Sequence, residues 1–114
     1  MPASNLNPDT LPLPVEQAIK RLGGNIAIAR KRREIRQEEL AKKAGITKVT
    51  ERRVENGNPT TSIGNYFAVL WALGLEAEIA NLAAPERDEE GRNRERARMP
   101  KRTRPSQAGL DDDF

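Results

Sequence analysis

Between Val15 and Leu82 the apolar side chains recur at spacings of three and four, with no sustained two-residue alternation, a pattern that predicts helices and no strand. Val15, Ala18, Ile19, Leu22, Ile26 and Ala29 fall on one stripe of a first helix running to about Arg33, with Pro14 suited to its first turn. Gly23 and Gly24 interrupt that helix, at a cost of about 1 kcal/mol each relative to alanine, so they mark a kink or a close approach of another helix. A second helix fits Gln37 to Ala44, burying Leu40, Ala41 and Ala44, with Gly45 placed to end it in the left-handed conformation. Ile46 then turns inward. Thr47 is a good N-cap for a third helix from Lys48 to about Asn56, stopped by Gly57 and Pro59. Thr61 or Ser62 caps a fourth, in which Ile63, Tyr66, Phe67, Leu70 and Leu73 repeat before Gly74. Leu75, Ile79 and Leu82 suggest a fifth, short helix. The expected fold is all-α, with five helices around a small core that dimerisation would help to stabilise.

Composition divides the chain into three segments. Residues 1–14 carry four prolines and one charge, Asp9, and read as an extended lead-in. Residues 15–84 hold nearly all the large apolar side chains and form the expected domain. Residues 85–114 form a charged tail whose large apolar residues are Met99, Leu110 and Phe114. Such a tail is expected to be flexible unless a partner orders it, and a transient helix fits Glu89 to Met99. No internal repeat is visible.

The chain has no cysteine and no histidine, which removes disulfides, cysteine-bearing zinc sites, thiol nucleophiles and histidine acid–base chemistry together. No cofactor or metal site is expected, and an enzyme is the least expected class, since the carboxylates are not paired in any recognisable pocket motif. The longest apolar run, Tyr66 to Leu73, is far short of the roughly 20 residues of a membrane span. The first residues lack the basic and apolar regions of a signal peptide. A cytoplasmic, nucleoid-associated protein is the expectation.

The net charge of +3 is modest, but its distribution is uneven. Residues 30–53 hold ten Lys or Arg against four Glu, a net of +6, whereas residues 54–84 contain no Lys or Arg. One basic face for a polyanion and another face for protein contacts is one reading; a solvated helix surface is the other.

Two short helices joined by a glycine-containing turn form a helix-turn-helix, whose second helix enters the DNA major groove. The stretch QEELAKKAGITKVTERRVENG has that form. Taken with the Arg30 region, Gln37, Leu40, Ala41, Gly45, Thr47 and the VENG at 54–57, residues Leu22 to Leu75 resemble the lambdoid-repressor-like, XRE-type domain. The resemblance implies Gln37 and Thr47 as backbone or mixed DNA contacts and Lys48, Val49, Arg52 and Arg53 as groove-facing residues. It also implies an ion pair between Arg30 and Glu55. The chemistry agrees: Arg grips guanine O6 and N7 bidentately, Lys donates to the same edge, and Val49 suits a thymine methyl. Arg36, Lys42 and Lys43 meet phosphate or stay solvated. Two residues depart from the family pattern. Arg36 stands where Ser or Thr often caps the second helix, so that cap is weaker or replaced. Glu51 stands where an apolar residue usually packs beneath the recognition helix, and is expected to swing out toward basic neighbours.

The segment NPTTSIGNYFAVLWALGLE, followed by PERDEEG and RMPKRTR, looks like HipB-type antitoxins. That implies a homodimer that binds a pseudo-palindromic operator, represses its own operon and binds a HipA-type serine/threonine kinase toxin. Trp71, Leu75, Ile79 and Leu82 are the candidate dimer contact, with core packing the competing assignment for Leu75 and Ile79. The tail runs from acidic (Glu86, Asp88, Glu89, Glu90) through seven basic residues and one Glu between Arg92 and Arg104 to Asp111, Asp112 and Asp113. It orders on a partner, adds nonspecific DNA affinity, or only solubilises. Two other functions fit the sequence: a solitary or phage-type repressor without a toxin, and a protein-interaction adaptor whose helix-turn-helix no longer binds DNA.

Overall fold

The computed structural model describes residues 8–100, which divide into two compact units, one ending at Asn81 and one beginning at Leu82. The first contains α1 (Leu13–Arg32), α2 (Gln37–Ala44), α3 (Lys48–Glu55), α4 (Ile63–Ala72) and α5 (Glu76–Ala80). The second contains α6 (Glu89–Arg98), preceded by a single 3-10 turn at Pro85–Arg87. All regular structure among the described residues is helical.

In the first unit α3 packs against α1, α2 and α4, while α2 and α5 also lie on α4. The core is Ile26 from α1, Leu40 from α2, Val54 from α3, and Tyr66, Val69, Leu70 and Leu73 from α4 and its end. Leu40, Val54 and Val69 have no exposed surface. Ile19, Leu22, Ala29, Ile35, Phe67, Leu75 and Ile79 close around that centre. Side chains contributed by four successive helices thus make one small core, and no pair of helices can hold it alone.

Several apolar positions differ from the pattern. Val15 and Ala18 are exposed, because the first turns of α1 run past the core. Ile63 is 65% exposed at the first residue of α4, whose inner face is Tyr66, Val69, Leu70 and Leu73. Periodicity alone did not single out Val69. The fifth helix ends at Ala80, and Leu82 lies beyond it, exposed, in the second unit. In the tail, α6 occupies the span where only a transient helix was expected. Asp88 caps it by accepting from the Gly91 N–H at 3.0 Å. Residues 101–114, including Leu110, Phe114 and Asp111 to Asp113, lie outside the described residues.

The glycine pair in α1 is resolved as a close approach. A Cβ on Gly23 would sit 2.6 Å from the Gly57 nitrogen and the Val54 carbonyl oxygen, and 2.7 Å from the Glu55 carbonyl oxygen. Gly57, at φ +69°, would in turn push a Cβ against the Lys20 backbone at 2.5 Å. These obstacles are backbone atoms, which cannot rotate away. Gly24 faces open space.

The two glycines therefore separate in a urea titration. Gly23→Ala should destabilise by about 1–3 kcal/mol, since overpacking outweighs the gain in helix propensity. Gly24→Ala should stabilise by up to about 1 kcal/mol. Equal midpoint shifts for both would contradict the backbone contact between α1 and the end of α3.

Candidate nucleic-acid interface

α2 and α3 are joined through Gly45, Ile46 and Thr47. Gly45 adopts φ +76°, and Ile46 N–H donates to the Ala41 carbonyl at 3.0 Å, the bond that closes a helix on a left-handed residue. Arg36 offers no side-chain oxygen to cap α2; instead its backbone N–H donates to Glu39 Oε1 at 2.9 Å. Thr47 does cap α3. Its Oγ1 accepts from the Thr50 N–H at 3.1 Å and donates to Thr50 Oγ1 at 3.0 Å. The Thr47 hydroxyl is thus engaged in shaping the start of α3.

Helix geometry spreads Lys48, Val49, Arg52 and Arg53 over an arc of about 140°, and all four are exposed, Val49 by 53%. Glu51 and Val54 occupy the opposite, buried side. Arg52 and Arg53 form no ion pair with any described residue, and Lys48 Nζ lies 3.6 Å from Glu38 Oε1 in an exposed pair. Such a pair contributes at most about 1 kcal/mol and yields readily to a phosphate. Lys42 and Lys43, exposed in the last turn of α2, add to the same positive region.

A buried clamp fixes α3 from behind. Arg30 Nε donates to Glu55 Oε2 at 2.6 Å and Arg30 Nη2 to Glu55 Oε1 at 3.1 Å, a bidentate pair with side chains only 12% and 6% exposed. Arg30 Nη1 also donates to the Ile35 carbonyl at 2.9 Å, and Gln37 Nε2 to Glu55 Oε1 at 3.1 Å. The end of α1, the start of α2 and the end of α3 meet on one carboxylate. Gln37, expected on DNA, is half-buried with its amide turned to that carboxylate. Burial would raise the Glu55 pKa, but the hydrogen bonds from Arg30, Glu51 and Gln37 outweigh it and hold it below the ordinary carboxyl value. The hydrogen bond to Glu55 in turn raises the Arg30 pKa.

Glu51 does not swing out: its side chain has no exposed surface. As a carboxylate it would find no hydrogen-bond donor for either oxygen. As an acid it carries its own donor, which the Glu55 carboxylate can accept. Burial first, and Glu55 second, push its pKa up to about 8. A proton therefore replaces the apolar atoms expected beneath the recognition helix, and Glu51 adds no second charge beside the Arg30–Glu55 pair near neutral pH.

Pattern reasoning missed one positioning contact. Tyr66 O–H donates to the Asn58 carbonyl at 2.8 Å, tying the loop after α3 to α4. Burial pushes that hydroxyl up to about 12, so it stays a donor. The signal available was a tyrosine on an inward stripe, because a buried hydroxyl requires a partner. Of the candidate dimer residues, Trp71 is 59% exposed, Leu75 and Ile79 flank the core, and Leu82 is exposed in the second unit.

The Helix-turn-helix family matches residues 26–79, from the middle of α1 to the end of α5. Over that segment the chain is similar to XRE-type helix-turn-helix domains. The match supports a DNA-binding transcription regulator of that type. No curated protein and no solved structure matches the chain. No described helix is long and apolar enough to cross a membrane, and no described group of three His, Cys, Asp or Glu could hold a metal ion.

The buried acid makes stability depend on pH. Between the ordinary carboxyl value of 4.5 and about 8, Glu51 is protonated in the folded chain and ionised in the unfolded one. Stability conferred by the raised pKa is complete below that window and lost as pH rises through it, by about 1.4 kcal/mol per pH unit. Glu55, shifted the other way, acts only at lower pH. Urea midpoints measured from about pH 5 to 8 should fall for the natural chain and stay level for Glu51→Gln, which keeps the shape and a donor for Glu55. A level profile for the natural chain would place the Glu51 carboxyl in solvent.

Proposed function

We propose that this protein is a dimeric, sequence-specific repressor that serves as the antitoxin of a HipA-type serine/threonine kinase and represses its own operon. The observation that carries the DNA part is the exposed arc of Lys48, Val49, Arg52 and Arg53 on a helix whose opposite side is anchored by the Arg30–Glu55 clamp. Rigid backing matters because base readout requires side chains held in register with the groove floor. Lys48 and Arg53 read base edges, Val49 meets a thymine methyl, and Arg52, Lys42 and Lys43 grip phosphates. Thr47 contacts the backbone from the start of α3, while Gln37, with its amide on Glu55, backs that helix from behind.

An adaptor would need a disturbed recognition helix, and Glu51, the residue that departs from the family pattern there, is buried and leaves the outer face of α3 unaltered. Dimerisation is supported by Trp71, a large aromatic that is 59% exposed in a single chain. A pair of such domains reads half-sites about one helical turn apart, or a multiple of that. The antitoxin assignment rests on the likeness of residues 15–104 to HipB-type sequences. A solitary repressor would share the DNA chemistry and lack the kinase.

Anisotropy titrations on a duplex from the chain's own upstream region and on a scrambled duplex test the DNA reading. The expected preference is about a thousandfold or more. Lys48→Ala and Arg53→Ala should each cost about 1–3 kcal/mol on the cognate duplex and relax the preference. Indifference of the natural chain to sequence would overturn the repressor reading. The chain's single tryptophan makes Trp71 its own reporter of assembly: its emission should shift to the blue as the dimer forms, and Trp71→Glu should sediment as a monomer. Co-purification of a kinase encoded beside the gene supports the antitoxin reading, and its absence from a neighbouring gene leaves the solitary repressor.

A further inference from the structure

An acid stands inside the basic face of the helix-turn-helix. Glu38, the second residue of α2, is exposed. Its Oε2 lies 4.0 Å from Arg36 Nη2 and its Oε1 3.6 Å from Lys48 Nζ, so one carboxylate is shared between the residue before α2 and the first residue of α3. Capping does not account for it, because the carboxylate that accepts from the start of α2 belongs to Glu39. A second acid in the first turn suits the helix dipole, yet any polyanion brought to this face meets a charge that repels it. A carboxylate there is an asset only where the partner offers it a donor.

Duplex DNA offers that donor in a place that also suits Lys48. In the major groove guanine presents N7 and O6 as acceptors, and the N4 amino group of the paired cytosine follows as a donor. O6 and N4 are hydrogen-bonded to each other across the pair and so lie about 2.9 Å apart. An ammonium that bridges N7 and O6 leaves the next place on the edge for an acceptor, and Glu38 Oε1 stands 3.6 Å from Lys48 Nζ, close to that step. In the same register an A·T pair turns the adenine N6 amino group toward the ammonium and the thymine O4 toward the carboxylate, donor on donor and acceptor on acceptor. In water the exposed pair is weak; beneath DNA, where solvent is excluded, the same two charges attract more strongly. A phosphate attracts Lys48 alone and repels its partner, whereas the G·C edge satisfies both.

We propose that Glu38 and Lys48 together read one G·C pair in each half-site, Lys48 donating to guanine N7 and O6 and Glu38 accepting from cytosine N4, with Arg36 steadying the other carboxylate oxygen. Glu38 is then a specificity residue on α2 for a readout otherwise assigned to α3, and the inference rests on the reading of the chain as a sequence-specific DNA binder. The acid acts mainly on choice: it penalises sequences that lack the donor more than it strengthens binding to the right one.

The test selects binding sites from a randomised duplex pool with the full natural chain, with Glu38→Ala and with Lys48→Ala. The natural chain should select a G·C pair at one position of each half-site, and both variants should relax identity at that position and keep it elsewhere. On synthetic duplexes, changing that pair to A·T should weaken the natural chain by about fivefold to a hundredfold, and Glu38→Ala by clearly less. N4-methylcytosine in that pair puts a methyl in place of the hydrogen that faces the groove; it should weaken the natural chain and leave Glu38→Ala unaffected. A uniform tightening of Glu38→Ala on every duplex, with its selected site unchanged, overturns the proposal and leaves Glu38 a simple repelling charge. Relaxation at a position other than that of Lys48, or indifference of the natural chain to N4-methylcytosine, also overturns it. If the natural chain selects no site at all, the repressor reading itself fails, whereas a selected site that ignores Glu38 removes this inference alone.

Discussion

One carboxylate holds the DNA-binding unit together. Glu55 receives two bonds from Arg30 and one from Gln37, so the end of α1, the start of α2 and the end of α3 are joined at a point almost without solvent. Removing one partner from such a pair leaves an uncompensated charge and costs about 3–5 kcal/mol. That penalty makes the clamp directional, because three helices must be in their native places to avoid it. Gly23 serves the same junction. With no Cβ it allows α1 to lie directly on the last turn of α3, which brings Arg30, two helical turns further along α1, level with Glu55.

Glu51 shares the helix with Glu55, one turn earlier, and the two carboxyls cannot both be ionised cheaply in that setting. Their environments push them apart: Glu55 has the guanidinium and stays charged, and Glu51 has only burial and its neighbour and keeps its proton. A protonated glutamic acid is roughly the size of the apolar side chain the family pattern places there, so the helix seats normally near neutral pH. The cost is a stability that declines with alkalinity, which an apolar residue would not carry.

Most of the helical plan was legible because strong local signals agreed with one another. α2 and α3 are bounded by residues whose chemistry admits few alternatives: a left-handed glycine at 45, a threonine cap at 47 and a glycine at φ +69° at 57. The basic arc on α3 was legible for a similar reason, since apolar and charged positions separate cleanly there. What periodicity could not supply was the rotation of α4, where an almost entirely apolar sequence leaves the inner face undefined. Val69, Leu70 and Leu73 are buried with Tyr66, whose hydroxyl bonds Asn58, and Ile63 and Trp71 are left exposed. Nor could it foresee a buried glutamic acid. Charge patterning reads Glu51 as a surface residue, and only three-dimensional enclosure makes the proton the cheaper solution.

The same ambiguity in α4 carries information about assembly. A helix that must face only its own core alternates apolar with polar residues, whereas α4 carries no charged residue at all from Ile63 to Ala72. Its inner face is satisfied by the core, yet Ile63 and Trp71, two turns apart on its length, remain in solvent. The unit thus has two unlike surfaces: the positive one on α2 and α3, and an uncharged, partly aromatic one on α4. DNA held on the first leaves the second accessible. Two copies joined through that second surface would gain the apolar burial that a core of this size lacks alone, so operator binding and folding stability would draw on the same contact.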